Sequence, residues 1–187
     1  MTFFRAFAVA VIFLAAAGPT YAADWEMDAA PSRLDIVATF EGSPSPGAFK
    51  DFDTRLSLDT GQPAKGRLDV SIALKSADWG SADINKAIAG PEWFDFARFP
   101  QAEFHASDVR RLAGDRYLAR GTLSLKGVQM PIEVPFTWTE TAGVAHMDGE
   151  FTVKRATFGI GTGEWAATNV IGPDVKVKFS VQLHKRA

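Results

Sequence analysis

The chain has 187 residues, with 22 acidic against 20 basic side chains for a formal charge of −2, and it contains no cysteine. A slightly acidic chain argues against nucleic acid as a partner, and the lack of thiols excludes disulfide staples, cysteine nucleophiles and thiolate metal sites. With 47% hydrophobic residues, its stability has to come from burial in a core and from hydrogen bonding.

Arg5 is the only charge ahead of an apolar run from Ala6 to Ala17, which is followed by Gly18-Pro19-Thr20-Tyr21-Ala22-Ala23. This pattern predicts a secretory signal peptide over residues 1–22, cleaved after Ala22, and export to the periplasm. The run of about a dozen residues is shorter than the roughly 18 that a spanning helix needs, so no stable transmembrane anchor is expected in the mature chain. Residues 23–187 show no internal repeat and suit one domain.

From Ser32 onward apolar residues recur with period two, the mark of half-buried strands. Eight such runs follow one another: Leu34 to Phe40, Leu56 to Leu58, Leu68 to Leu74, Phe104 to Ala106, Tyr117 to Leu125, Val128 to Trp138, Ala145 to Val153 and Val175 to Leu183. Short Gly-bearing turns between them predict antiparallel neighbours. Between the third and fourth runs, Ser81 to Ala89 reads as a short helix, with Ser81 as N-cap, Ile84 and Ile88 four apart, and Gly90 as a stop. Five rings then fall close together at Trp93, Phe94, Phe96, Phe99 and Phe104. At roughly 1.5 to 3 kcal/mol for each ring taken out of water, that segment has to plug or line something.

Eight antiparallel strands can close into a barrel that is either filled by side chains or holds one ligand. Ala38, Ala106, Ala119, Gly121, Ala145 and Gly149 lie at inward positions, where they either leave room for a ligand or only let strands bend. Pro131 and Pro135 lie four apart on one strand, so both missing N–H groups face the same neighbour; that strand is partly an edge or carries bulges.

Sites for chemistry are sparse. His105, His146 and His184 show no metal-site spacing, so no metal is expected. No serine sits in a Gly-x-Ser-x-Gly turn, and no catalytic residues are expected. The run Phe158-Gly159-Ile160-Gly161-Thr162-Gly163 has Glu164 where a dinucleotide fingerprint needs its third glycine, and its glycines are read as bends or close approaches. Arg155 either meets a polar headgroup or is paired within the structure.

Four patterns in order resemble the YceI family of exported proteins: Gly47-Ala48-Phe49-Lys50-Asp51-Phe52-Asp53; Trp93-Phe94-Asp95 through Phe99-Pro100 to Phe104; Gly121-Thr122-Leu123-Ser124-Leu125-Lys126-Gly127; and Arg155-Ala156-Thr157-Phe158-Gly159-Ile160-Gly161. The resemblance covers nearly all of residues 23–187, with a departure at Asp83-Ile84-Asn85, where an Arg-Asp pair is usual. It implies an all-β fold, a lipocalin-like eight-stranded antiparallel barrel with a short helical lid, whose interior binds an isoprenoid lipid, a quinone or a similar amphiphile in the periplasm. A tail of about 40 carbons at about 0.3 kcal/mol per heavy atom contributes on the order of 12 kcal/mol, so apolar contact alone is enough for tight binding.

Strand phase and family position together select Phe40, Phe52, Ile72, Trp93, Phe94, Phe104, Leu123, Ile132, Phe158 and Trp165 as the ligand-binding lining. The first reading is a carrier with no cofactor of its own. The alternatives are an enzyme acting on a small apolar substrate in the same cavity and a filled barrel that works as a protein-interaction module.

Overall fold

Period-two alternation produces strands that close on themselves. The computed structural model describes residues 22–186, so the leader read over residues 1–22 lies outside the described residues apart from Ala22. The elements are β1 (Ala23–Phe40), β2 (Ser43–Phe49), β3 (Phe52–Leu58), β4 (Arg67–Ala73), β5 (Ala77–Asp78), α1 (Ala82–Ile88), β6 (Gln101–Ala113), β7 (Arg116–Leu125), β8 (Val128–Thr141), β9 (Val144–Lys154) and β10 (Asp174–Lys185). Every pairing is antiparallel. The ring runs β10-β9-β8-β7-β6-β4-β3-β1 and returns to β10.

Two strands are kinked in step. β2 continues into β3 past Lys50-Asp51, and β4 continues into β5 past Leu74–Ser76. The kinks are stitched together: Lys50 N–H donates to Ser76 O, Ala73 N–H to Asp51 O, and Asp51 N–H to Ser76 Oγ. With each kinked pair counted as one, eight strands close the barrel. β2 itself was not among the expected runs, because Ser43-Pro44-Ser45-Pro46-Gly47 has the composition of a turn. Prolines are tolerated there because β2 forms a ladder with β1 but meets only the short β5 on its other side.

The two-residue turns Glu41-Gly42, Lys126-Gly127 and Ala142-Gly143 all have positive φ at both positions, the hairpin geometry that matches strand twist. Pairing of β7 with β8 runs unbroken past both Pro131 and Pro135. Pairing of β8 with β9 covers only Phe136–Thr141 and stops at the Phe136–Gly149 pair. The missing N–H donors therefore mark a genuine partial edge: β8 and β9 part company over Val128–Pro135, which leaves a wedge at one end of the wall.

The barrel is filled at one end only. Trp25, Leu56, Leu68, Val109, Val181 and Leu183 are all 2% exposed or less. Trp138 meets Trp25 edge-on at 5.0 Å, and Tyr117 stacks on Phe136 at 5.5 Å. Five of the six small inward residues sit in this packed region or at its border. Ala145 is paired with Leu183, Ala119 is fully buried, and Gly121 faces Ala106. The ring of Phe179 lies on Gly149, where a Cβ would collide with it. Of the six only Ala38 lines open space. Tyr117, 2% exposed at the start of the β7 run, is in this filled end.

Candidate functional site

The other end holds an apolar cavity of about 500 Å³. Its walls come from inward positions of the strands: Leu34, Ile36 and Ala38 of β1, Ile72 of β4, Leu123 and Leu125 of β7, Phe151 and Val153 of β9, and Val175 and Val177 of β10. The volume lies in the range of sites that hold drug-sized ligands.

A roof built from two irregular segments and α1 covers this end. Ser81 caps α1 by accepting from Ile84 N–H, and the helix stops before Gly90 as its sequence predicts. The chain beyond it hangs from the helix end: Phe94 N–H donates to Ile88 O, Phe96 N–H to Ala89 O, and Trp93 N–H to Gly90 O. This places Trp93 and Phe94 in the cavity, with Phe96 stacked on Phe94 at 6.0 Å. Trp79 packs against Gly47, where a Cβ would collide with its indole, and tilts against Phe94 at 6.5 Å. Asn85 holds this corner, accepting from Trp79 N–H and donating to Asp78. The departure from the family pattern at Asp83-Ile84-Asn85 therefore has a structural use.

The second roof segment, residues 155–173, is organised by Arg155. Its side chain is 3% exposed, and the guanidinium donates only to main-chain oxygens: Nε to Gly172, Nη1 to Ile160 and Gly161, and Nη2 to Trp165 and Ile171. All five N–H groups are used, so Arg155 has none to spare for a headgroup. Burial lowers its pKa from the ordinary value, although a guanidinium stays charged throughout the physiological range. Gly161, at φ 70°, makes room for it, since a Cβ there would collide with Nη1. The two segments are joined by Gly161 and Thr162 N–H donating to Glu92 O, by Trp93 against Trp165 at 5.7 Å, and by Lys126. Lys126 Nζ donates to Pro91 O and Gly159 O, and burial lowers its pKa.

Seven of the ten residues selected from sequence meet around this cavity: Phe40, Ile72, Trp93, Phe94, Leu123, Phe158 and Trp165. Three do not. Phe104 faces inward but is 6% exposed and locked into the core cluster, outside the cavity wall. Phe52 is half-buried just after the Lys50-Asp51 kink, and Phe49 on the near side of that kink takes the wall position. Ile132 lies on the stretch where β8 has left β9, and the wall there is made by Phe151, Val153 and Phe158. Also lining the cavity, and not anticipated, are Trp79, Ile84, Ala87, Ile88, Ile160 and Ile171. Three of them, Trp79, Ile160 and Ile171, sit on loops, where no period marks an inward face; the other three are on α1, whose Ile84 and Ile88 four apart gave the one signal that could have found them.

Asp83 and Arg155 are the two ionisable groups in the wall. Phe40 at 45% and Ile84 at 41% exposure are large apolar side chains at the mouth, with Thr39, Ser45 and Asp83 beside them. The histidines are elsewhere. His105 pairs with Asp69 at 2.8 Å, His184 with Asp28 at 2.8 Å, and His146 is exposed. Among the described residues no group of three His, Asp or Glu is suited to a metal ion, and no helix is long and apolar enough to cross a membrane.

Comparison with known proteins follows this architecture. The family described as a YceI-like domain matches residues 25–183. A UPF0312 protein of Photorhabdus laumondii is 33% identical over 86 residues, 46% of this chain and 44% of that protein. A UPF0312 protein of Yersinia pestis is 33% identical over 119 residues, 62% of each. The chain thus spans about half to three-fifths of the length of these relatives. Among solved structures, Burkholderia cenocepacia BcnA superposes with a TM-score of 0.81 at 33% identity, over 83% of this chain and 98% of that one. A polyisoprenoid binding domain from Saccharophagus degradans, implicated in plant cell wall breakdown, superposes with a TM-score of 0.69 at 19% identity over 89% of this chain and 100% of that one, a likeness of fold.

Proposed function

The chain belongs to the YceI-like family, and from that premise we propose that it is an exported carrier that holds an isoprenoid lipid, or a similar amphiphile such as a quinone, in the hollow end of its barrel. The observation that carries the reading is the cavity of about 500 Å³ with carbon-rich walls on all sides and a mouth rimmed by Phe40 and Ile84. Water in such a space finds few hydrogen-bond partners, so an apolar chain that displaces it is favoured by the ordinary hydrophobic driving force. The likeness in fold to the polyisoprenoid binding domain from Saccharophagus degradans supports the ligand class. The cavity is of a size for drug-sized ligands, so a tail of about 40 carbons would keep its far end outside the mouth.

Binding is favoured over catalysis by the polar inventory of the wall. Of its two ionisable groups, Asp83 is exposed at the mouth and Arg155 has every donor engaged. General acid–base work needs a group free to exchange a proton beside the substrate. Periplasmic residence rests on the leader pattern at Arg5 and Ala6 to Ala17.

The test is to purify the mature protein from its native periplasm, extract it with organic solvent and analyse the extract by mass spectrometry. A stoichiometric isoprenoid is the expected result. An empty extract, together with failure to take up added prenyl quinone, would overturn the reading and turn attention to protein partners.

A further inference from the structure

In a chain where 22% of residues are charged, residues 42–49 and 165–173 contain no Asp, Glu, Lys or Arg. Both stretches come to the mouth of the cavity. Ser45 and Phe49 of the first and Trp165 and Ile171 of the second line it. The second is tied to the end of β1, where Glu41 N–H donates to Val170 O, Gly172 N–H donates to Thr39 O, and Phe40 bridges to Ile171. Pro44, Ala167, Thr168 and Asn169 are exposed on these stretches, so the rim turns an uncharged surface to solvent.

Four large apolar side chains are exposed among the described residues, and two of them, Phe40 and Ile84, stand at this mouth on separate elements, β1 and α1. Exposed apolar surface gathered at one opening marks an interaction site, whereas single scattered residues do not. We propose that the mouth is a membrane-docking face, which seats on a zwitterionic phospholipid bilayer with the Phe40 and Ile84 side chains entering its surface. This rests on the reading of the hollow end as a lipid site and adds where the ligand is exchanged.

Charge and cargo select the bilayer as occupant. The charges that flank the two stretches, with those of α1, are Glu41, Lys50, Asp83, Lys86, Glu164 and Asp174, four acidic and two basic, so the face does not attract anionic headgroups. Apolar side chains beside an uncharged rim fit the boundary between headgroups and acyl chains. A tail longer than the cavity leaves methylenes outside the mouth, and a bilayer covers them where water would not. Contact through two large side chains is also weak enough to reverse, as a carrier that must leave the membrane requires.

The test mixes the full mature chain, free of ligand, with phosphatidylcholine vesicles that carry a little dansyl-phosphatidylethanolamine, and reads energy transfer from tryptophan. Trp79, Trp93 and Trp165 line the cavity and so place donors at the docking end. The unaltered protein is expected to give saturable transfer. Ile84→Asp is expected to weaken partition about tenfold, and Thr168→Glu, at an exposed position outside the cavity wall, about threefold. Leu112, 49% exposed near the end of β6 beyond the fully buried Val109, is the control, and Leu112→Asp is expected to leave partition within about 1.5-fold. Adding phosphatidylglycerol to the vesicles is expected to weaken binding, in keeping with the acidic flanks. Equal losses with Ile84→Asp and Leu112→Asp, or tighter binding with phosphatidylglycerol, would overturn the mouth as the docking face. Should Ile84→Asp not fold, Thr168→Glu against Leu112→Asp decides in the same way. No transfer at any vesicle concentration would overturn bilayer docking and turn attention to a protein that covers the mouth. The carrier reading is decided separately, by uptake of a prenyl quinone added from ethanol with no vesicle present.

Discussion

The two ends of this barrel share strands, alternation and hydrophobic composition, yet one end is packed solid and the other is hollow. Small side chains do not make the difference. Ala106, Ala119, Ala145 and Gly149 belong to the packed end or its border, where each small residue complements a large neighbour such as Leu183 or Phe179. The hollow end differs in what closes it. There the strands meet loops and a short helix, whose rings and hydrogen bonds span the opening and hold the walls apart. Main-chain architecture above the strands, rather than side-chain volume within them, creates the cavity.

The largest test of that contrast is to loosen the roof. Arg155→Ala strands at least five main-chain oxygens in a buried place, and the expected cost is roughly 3 to 5 kcal/mol, read as a fall in the urea midpoint. Hydrogen exchange should accelerate over residues 155–173 and 90–99, while Val181 and Leu183 in the packed end keep their protection. Uniform acceleration would mean that the two ends unfold as one unit and that the roof has no separate role.

Truncating walls separates the ends next. Leu56, 1% exposed, is surrounded by packed neighbours, and Leu56→Ala should cost about 2 to 5 kcal/mol by opening a new void. Leu125 already faces open space, so Leu125→Ala should cost about 1 kcal/mol, the transfer share alone. Equal costs in urea titrations would show that the cavity is not open in solution.

Enlarging small residues reverses the logic. Ala145→Leu overpacks the filled end and is expected to cost about 1 to 3 kcal/mol without altering lipid uptake. Ala38→Leu grows into the cavity, should change stability by less than about 0.5 kcal/mol, and should reduce the uptake of a prenyl probe.

That pair of alanines also marks how far the sequence can be read. Period two correctly sorted inward from outward residues, as in Val175, Val177, Val181 and Leu183 of β10, because a strand has only two faces. The missing donors of Pro131 and Pro135 correctly announced an edge. Depth along the barrel axis leaves no such mark. Phe104 and Leu123 are opposite each other on adjacent strands and equally apolar, but only Leu123 reaches the cavity. The roof was legible only in part. The aromatic segment and the Arg155 motif were visible as motifs, but the closure of Arg155 on carbonyls from Ile160 to Gly172 depends on a loop path with no periodicity.

The smallest expected effect comes from the outer face, and it shows whether either end is sensitive to surface charge at all. His105 lies between Asp69, at 2.8 Å, and Glu103, at 3.5 Å, and its pKa is raised from the ordinary 6.5, first by the hydrogen bond the ring donates to Asp69, against a smaller opposing effect of burial, with Glu103 adding to the rise. A raised folded-state pKa means that the protonated ring favours the folded protein. The contribution is complete below the unfolded value and disappears as pH rises through the folded value. The His105 side chain is 58% exposed, so water and salt screen the pair, and a few tenths of a kcal/mol is the expected size. His105→Gln should therefore lower the urea midpoint slightly at about pH 5.5 and leave it unchanged at about pH 8.5. Lipid uptake should be the same at both, because the histidine side chain points away from the cavity wall. A difference that grew toward high pH would contradict the sign, and a pH-dependent change in uptake would mean that the outer face of β6 communicates with the hollow end.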